Sequence, residues 1–398
     1  MVMVKGVAHT SAGTGHVQHL NVPPRRTGLS GLLGFSPALI VLLVVTCLIP
    51  PVMSTYWTFN IMVGLVLGIA CLGLLVVVGW GREISLAQAG LVGSATYLSG
   101  WLYRSADRTG PSGSNGRYGK GWSYPLAVLG GIAFVVGCSV LVAFIAMRLA
   151  GVYVIVLTLS LQFLLENSVM LSEKLTGGLA APSTPRPDFF GIDMRADKHF
   201  YYYILGSLIV CMLFLNRFRH SRFGRSMMMV GSDKAAAAAV GVSPWMYKVA
   251  AFGIAGLFAG IAGGLSAPLY FSPPGSLQYI SFNSLFYLSV PILAGFESIT
   301  ATVIVAVVFT LIPQIVLSWK INVYLLGGLG LTVGILVGPR GVGGTVIDLL
   351  DPRARAKKKA ARRPAPPSLP SRPAGGGTTR PTTRPTTTRP TSQLGAKR

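Results

Sequence analysis

The sequence predicts an all-α, polytopic membrane helical bundle, and three observations carry that prediction. Of its 398 residues 51% are hydrophobic and 11% charged, with a mean hydropathy of +0.60. That is more apolar content than a water-soluble core of ordinary proportions can hide. Apolar runs long enough to cross a hydrocarbon layer of roughly 30 Å recur along the chain. The charge lies outside them: thirteen of the 34 lysines and arginines fall between Arg353 and Arg398, so the formal charge of +23 belongs largely to a tail.

Taken in order, residues 1–28 form a polar, weakly basic segment expected to stay on the cytoplasmic side. A cleaved signal peptide is not expected, because the polar part is too long and no small-residue cleavage site leads into a soluble domain. The membrane domain is expected over 29–344. Its apolar runs are Leu29 to Ile49, Trp57 to Val78, Ile84 to Tyr103, Tyr124 to Met147 and Gly151 to Leu171, then Phe200 to Leu215, Val249 to Tyr270, Ser281 to Ala294, Ile299 to Trp319 and Val323 to Gly338. These make about ten spans, with roughly eight as the lower bound. Ile84 to Tyr103 carries Ser85, Gln88, Ser94 and Thr96, and Ser281 to Ala294 is short and contains Pro291. Both are expected inside the bundle, where polar or irregular backbone at membrane depth is tolerated and lines a pathway. The alternative for the glycine-rich stretches, above all GIAGLFAGIAGG, is close helix packing without a transport role.

Basic residues set the orientation. Arg217, Arg219, Arg222 and Arg225 place the loop at about 217–248 in the cytoplasm, as the basic run after Arg340 does for the C-terminus. Counting spans backwards puts the N-terminus inside too. The loop from Arg104 to Ser123 must then be outside, although it carries Arg104, Arg108, Arg117 and Lys120 against Asp107 alone. The loop Ser172 to His199 is also outside, and is either a docking face for an external ligand carrier or a solvated connection. Residues 345–398 are a basic Pro, Thr and Arg tail that cannot bury a core, is expected to be disordered, and suits anionic lipid rather than nucleic acid.

A loop of about thirty residues between spans is longer than a compact bundle needs. In it, Ser232 or Asp233 is placed to cap a helix through Ala235 to Ala239, stopped by Gly241 and by Ser243-Pro244. Such a helix is either a rigid lever for a partner or a solvated connector. No phosphate-binding loop, zinc-protease motif or nucleophile elbow is present, so an enzyme is not expected. The four cysteines lie in apolar runs without metal-ligand spacing and read as packing residues. Of the eleven carboxylates, Glu166 alone sits well within an apolar run. An intramembrane carboxylate is a functional candidate unless it lies near a span end and snorkels.

Five stretches together resemble the LivM-type branched-chain amino-acid permeases of ABC importers, over about Thr58 to Gly344. They are GREISLAQAGLVGSATYLSG from Gly81, RLAGVYVIVLTLSL from Arg148, SRFGRSMMMVGSDKAAAAAVGV from Ser221, the Lys248 to Gly263 run, and the pair LAGFES and GPRGVGG. The resemblance implies a permease subunit that forms a path for branched-chain amino acids or a similar small polar solute. It implies no cofactor on this chain, with ATP on separate ATPase subunits, and as partners a second, LivH-like permease subunit and an extracytoplasmic solute-binding protein. It casts Gly224, Arg225, Asp233, Lys234, Ala235, Ala239 and Gly241 as the surface coupled to the ATPase. Candidate path residues are Ser85, Gln88, Ser94, Thr96, Thr158 and Glu166. The chain departs from the pattern where the coupling loop's usual acidic residue falls at Lys234, at Thr176 to Ala181, and at Ala294 to Ser298. The alternative function is a secondary transporter driven by an ion gradient through Glu166, which predicts more than one intramembrane carboxylate.

Overall fold

The computed structural model describes residues 53–104, 119–149, 151–172, 184–187, 194–270, 279–296, 298–316 and 332. The span expected at Leu29 to Ile49 and, apart from residue 332, that at Val323 to Gly338 lie outside them, as do both tails, Thr176 to Ala181 and GPRGVGG. Among the described residues every regular element is helical: α1 Thr55–Leu74, α2 Gln88–Tyr103, α3 Tyr124–Ala146, α4 Val152–Leu165, α5 Asp197–His220, α6 Arg222–Ser232, α7 Lys234–Ala239, α8 Pro244–Leu269, α9 Ser281–Ala294 and α10 Ile299–Val316. Eight of them coincide with expected spans. The remaining two, α6 and α7, lie in the basic loop.

The centre of the bundle is α1, α2 and α8. In the apolar window of α1 94% of residues are buried, against 28% in that of α3. Long apolar side chains on α3 and α4, such as Leu126, Leu129, Leu141, Tyr153 and Leu164, point outward, and in water they would make a large apolar patch. Against lipid they are at home, because the bilayer supplies an apolar surround.

Glycine sets how closely α8 packs. A Cβ at Gly256 would stand 2.5 Å from Ser139 Oγ, one at Gly260 2.8 Å from Ile132 Cα, and one at Gly264 2.7 Å from Val128 Cγ1. The three glycines are four apart, on one helix stripe, and α3 lies in the groove they leave. Gly263 does the same for α2, where a Cβ would meet Ala95 Cβ and Val92 O at 2.5 Å. The glycine-rich run is therefore packing surface.

Two spans change helical register. α1 ends in a π turn, Leu75–Trp80, and α4 in another, Glu166–Met170. After the first the chain runs without helix through residues 81–87, with Arg82 at φ 54, a conformation a non-glycine side chain adopts at a cost. The expected span Ile84 to Tyr103 is thus a broken one, extended at first and helical from Gln88. It lies inside the bundle as expected, with Gln88, Ser94, Thr96 and Ser99 all at most 2% exposed. α9 is only half inside, since Phe282 and Leu285 are exposed.

Candidate functional site

At the basic end of the bundle, α5 turns sharply into α6. Ser221 caps α6 by accepting from Gly224 N–H at 3.0 Å. Gly224 is required there because a Cβ would strike the Phe218 carbonyl. Arg225 donates back to His220 O at 2.9 Å. α6 buries Met227 and Val230 on one side. Gly231 lies against the Trp80 carbonyl, which places the loop at the end of α1 where the π turn is.

The capping helix is α7, and its cap is Asp233. Its Oδ1 accepts from Ala235 and Ala236 N–H at 2.9 and 3.0 Å, satisfying two orphan donors of the first turn. Asp233 itself is extended, φ −151, so of the two cap candidates it is Asp233 that starts the expected helix, and a further helix, α6, precedes it and meets it at a corner. α7 ends at Gly241, φ 82, with Gly241 N–H to Ala238 O and Val242 N–H to Ala237 O, both 3.0 Å. This is the left-handed helix stop that glycine favours. Ala237 is buried, whereas Ala235, Ala239 and Val240 are exposed, with Trp245 and Met246 half-exposed just beyond.

Lys234 is held by a residue the sequence analysis passed over. Its Nζ lies 2.8 Å from Glu83 Oε1, and Lys248 Nζ is 3.2 Å from the same oxygen. Lys248 also donates to Leu149 O at 3.1 Å. One carboxylate, standing in the unwound stretch before α2, therefore joins α7, α8 and the end of α3. The acidic position of the resembling pattern is a lysine here, and its counter-ion is inside the same chain. A cavity of about 350 Å³ adjoins this cluster, walled by Met147, Met227, Trp245 and Phe252 among others. The available signal was Glu83 flush with the start of an apolar run and Lys248 flush with the start of another.

Deeper in, the start of α2 is buried where no water reaches its first N–H groups. Side chains from other spans replace water. Ser284 Oγ of α9 accepts from Ala89 N–H at 3.2 Å, Gln162 Oε1 of α4 accepts from Gly90 N–H at 2.5 Å, and Thr158 Oγ1 accepts from Leu86 N–H at 3.1 Å. Gln162 Nε2 donates on to Tyr279 O at 2.8 Å. Gln162 was also missed; its signal was a lone amide in the apolar run of α4.

Of the candidate path residues, the structure brings Ser85, Gln88 and Thr158 together around a cavity of about 10 Å³ that Ser139 also lines. Gln88 donates to Ala70 O at 2.9 Å, while its Oε1 and Ser139 Oγ are buried without a protein partner. Ser94 lies apart and bonds within its helix, to Gly90 O at 2.7 Å. Thr96 bonds to Val92 O at 2.9 Å and lies 3.4 Å from Tyr279 Oη. Glu166 is half-buried where α4 passes into its π turn. It accepts from Ser281 N–H at 3.1 Å and Ser281 Oγ at 2.9 Å, tying α4 to the first turn of α9. Among the described residues no group of three His, Cys, Asp or Glu could hold a metal ion.

Comparison with known proteins agrees with this architecture. A family model described as "Branched-chain amino acid transport system / permease component" matches residues 56–338. The chain is 26% identical to the high-affinity branched-chain amino acid transport system permease protein LivM of Escherichia coli strain K12, over 81% of this chain and 77% of that one. It is 27% identical to the LivM protein of Salmonella typhimurium strain LT2, over 67% of this chain and 65% of that one. No solved structure matches. These relatives are transport components rather than enzymes. With the matched region spanning the bundle from α1 onward, the chain belongs to the permease-component family of branched-chain amino acid transport systems and is a multi-pass membrane permease.

Proposed function

We propose that the chain is one of two membrane subunits of an ATP-driven importer in the inner membrane, forming with a second permease the path for a branched-chain amino acid or a solute of similar size. The family match over residues 56–338 carries this reading. The two-helix loop supports it. α7 is capped at both ends and leaves Ala235, Ala239 and Val240 outward, a short rigid lever for an ATPase subunit that supplies the energy from the cytoplasm. Closure of that partner would rock α5 and α8 as rigid bodies. An extracytoplasmic binding protein would deliver solute at the opposite end, and both termini would lie in the cytoplasm.

A gradient-driven carrier needs titrating carboxylates inside the membrane. Glu166, half-buried, accepts two hydrogen bonds from Ser281, and Glu83, the buried carboxylate among the described residues, is paired with two lysines. The test is energetic. In proteoliposomes holding the assembled transporter, leucine uptake should follow ATP on the cytoplasmic side and survive collapse of the proton gradient. Glu166→Gln, which still accepts both Ser281 bonds, should keep uptake within about twofold. Uptake that needs the gradient and no ATPase subunit would overturn the reading.

A further inference from the structure

At the end of the bundle away from the α6–α7 loop, α1, α8, α9 and α10 line a second, open cavity of about 310 Å³. That volume is at the lower end of the roughly 300–1,000 Å³ of small-molecule sites. Its wall is of two kinds. Phe59, Val63 and Phe286 supply apolar surface, while Asn60, Asn283 and Gln314, with the phenols of Tyr270, Tyr279 and Tyr287, supply donors and acceptors. No lining residue carries a formal charge.

Two of the amides are held by one tyrosine. Asn60 Nδ2 donates to Tyr56 O at 2.9 Å, and Tyr56 Oη donates to Gln314 Oε1 at 2.7 Å. Each amide is thereby oriented through one atom, which leaves Asn60 Oδ1 as acceptor and Gln314 Nε2 as donor for a further partner. The cavity also joins the buried polar track, because Tyr279 is both in its wall and next to Thr96 on α2. Asn283 lies between Ser281 and Ser284 on α9, so a single turn meets Glu166, the cavity and the start of α2 in succession.

We propose that this cavity is a solute site which accepts small polar solutes of zero net charge and rejects those with a net charge. The inference deepens the transport reading above and rests on it for the kind of solute. Amide and phenol groups can meet an ammonium through oxygen and a carboxylate through N–H and O–H, so a zwitterion is matched at both ends and its side chain lies on the apolar wall. A net charge has no counter-ion there, and burying one unpaired is costly.

The test uses the assembled transporter in proteoliposomes with Asn283→Cys, Gln314→Cys or, as a control on the outward face of α10, Val308→Cys. Reaction with a small water-soluble thiol reagent should be at least about tenfold faster at the first two than at Val308→Cys, on an exposed apolar helix face where lipid or a partner span would exclude such a reagent. Leucine at saturating concentration should slow both at least about fivefold, whereas lysine and glutamate at equal concentration should leave them unchanged. Absence of leucine protection at both positions, in a preparation whose wild type takes up leucine with ATP, overturns the site while the transport reading stands. Equal protection by lysine or glutamate overturns the charge rule. Leucine protection in a preparation without ATP-driven uptake supports the site and sinks the energetic reading instead.

Discussion

Glu83 holds two lysines on a single carboxylate oxygen, and the three partners differ sharply in exposure. The side chains of Glu83 and Lys248 are 8% and 11% exposed, while that of Lys234 is 54% exposed. The pair with Lys234 is screened by water and contributes at most about 1 kcal/mol. Lys248 has little water to fall back on, so removing its counter-ion costs about 3–5 kcal/mol. Glu83→Gln should therefore lower the thermal unfolding midpoint of the purified transporter clearly. Lys234→Ala should barely move it, and the double variant Glu83→Gln with Lys248→Met should recover most of the loss. Equal effects of Glu83→Gln and Lys234→Ala would show that the cluster is not divided in this way. Transport is a separate readout, because Lys234 is the only one of the three on α7.

At the scale of elements, α8 shows why glycine content in a span reads two ways until its neighbours are placed. The stripe Gly256, Gly260 and Gly264 has α3 against it at distances no side chain fits. Gly260→Leu should separate α8 from α3 and destabilise the protein by about 1–3 kcal/mol or more, while the same change at Gly253, whose Cβ would meet only Val140 Cγ2 at 3.5 Å, should be much milder. Thermal unfolding of the two variants side by side checks this. α7 is a different kind of element, with a cap at each end and one buried residue, Ala237. Deleting Ala235 to Ala239 should leave the protein in the membrane, because no span contributes to that stretch, yet abolish both uptake and retention of the ATPase subunit. Normal uptake by the deletion variant would remove α7 from the coupling role.

On the scale of the whole molecule, the spans and the tail make separate demands. Residues 352–398 have a composition that cannot bury a core. Truncation before Pro352 should leave uptake intact and reduce only binding to anionic vesicles, measured by co-sedimentation. A transport defect at normal membrane levels would make the tail regulatory. The basic residues after Tyr103 also bear on orientation. Arg104 strains a simple count of loop charges, but it is 4% exposed and donates to Thr184 Oγ1 at 3.2 Å. It is a tied-down side chain of the bundle rather than a free loop cation.

The sequence by itself determined the class, the places of the eight described helices that coincide with apolar runs and the extent of α7, because each rests on local chemistry. Hydrocarbon thickness selects run length, and Asp233 and Gly241 act on backbone within three residues of themselves. It also placed Ser85, Gln88 and Thr158 in the interior, since polar groups on a span avoid lipid. Only the tertiary structure decided which polar groups meet. Gln162 and Gly90 are 72 residues apart, Lys234 and Glu83 are 151 apart, and Tyr56 and Gln314 are 258 apart. No periodicity or motif encodes such distances along the chain. They follow from glycine stripes that fix how closely α8, α2 and α3 approach, and from the broken span whose buried N–H groups must find acceptors on whichever helices pack beside it.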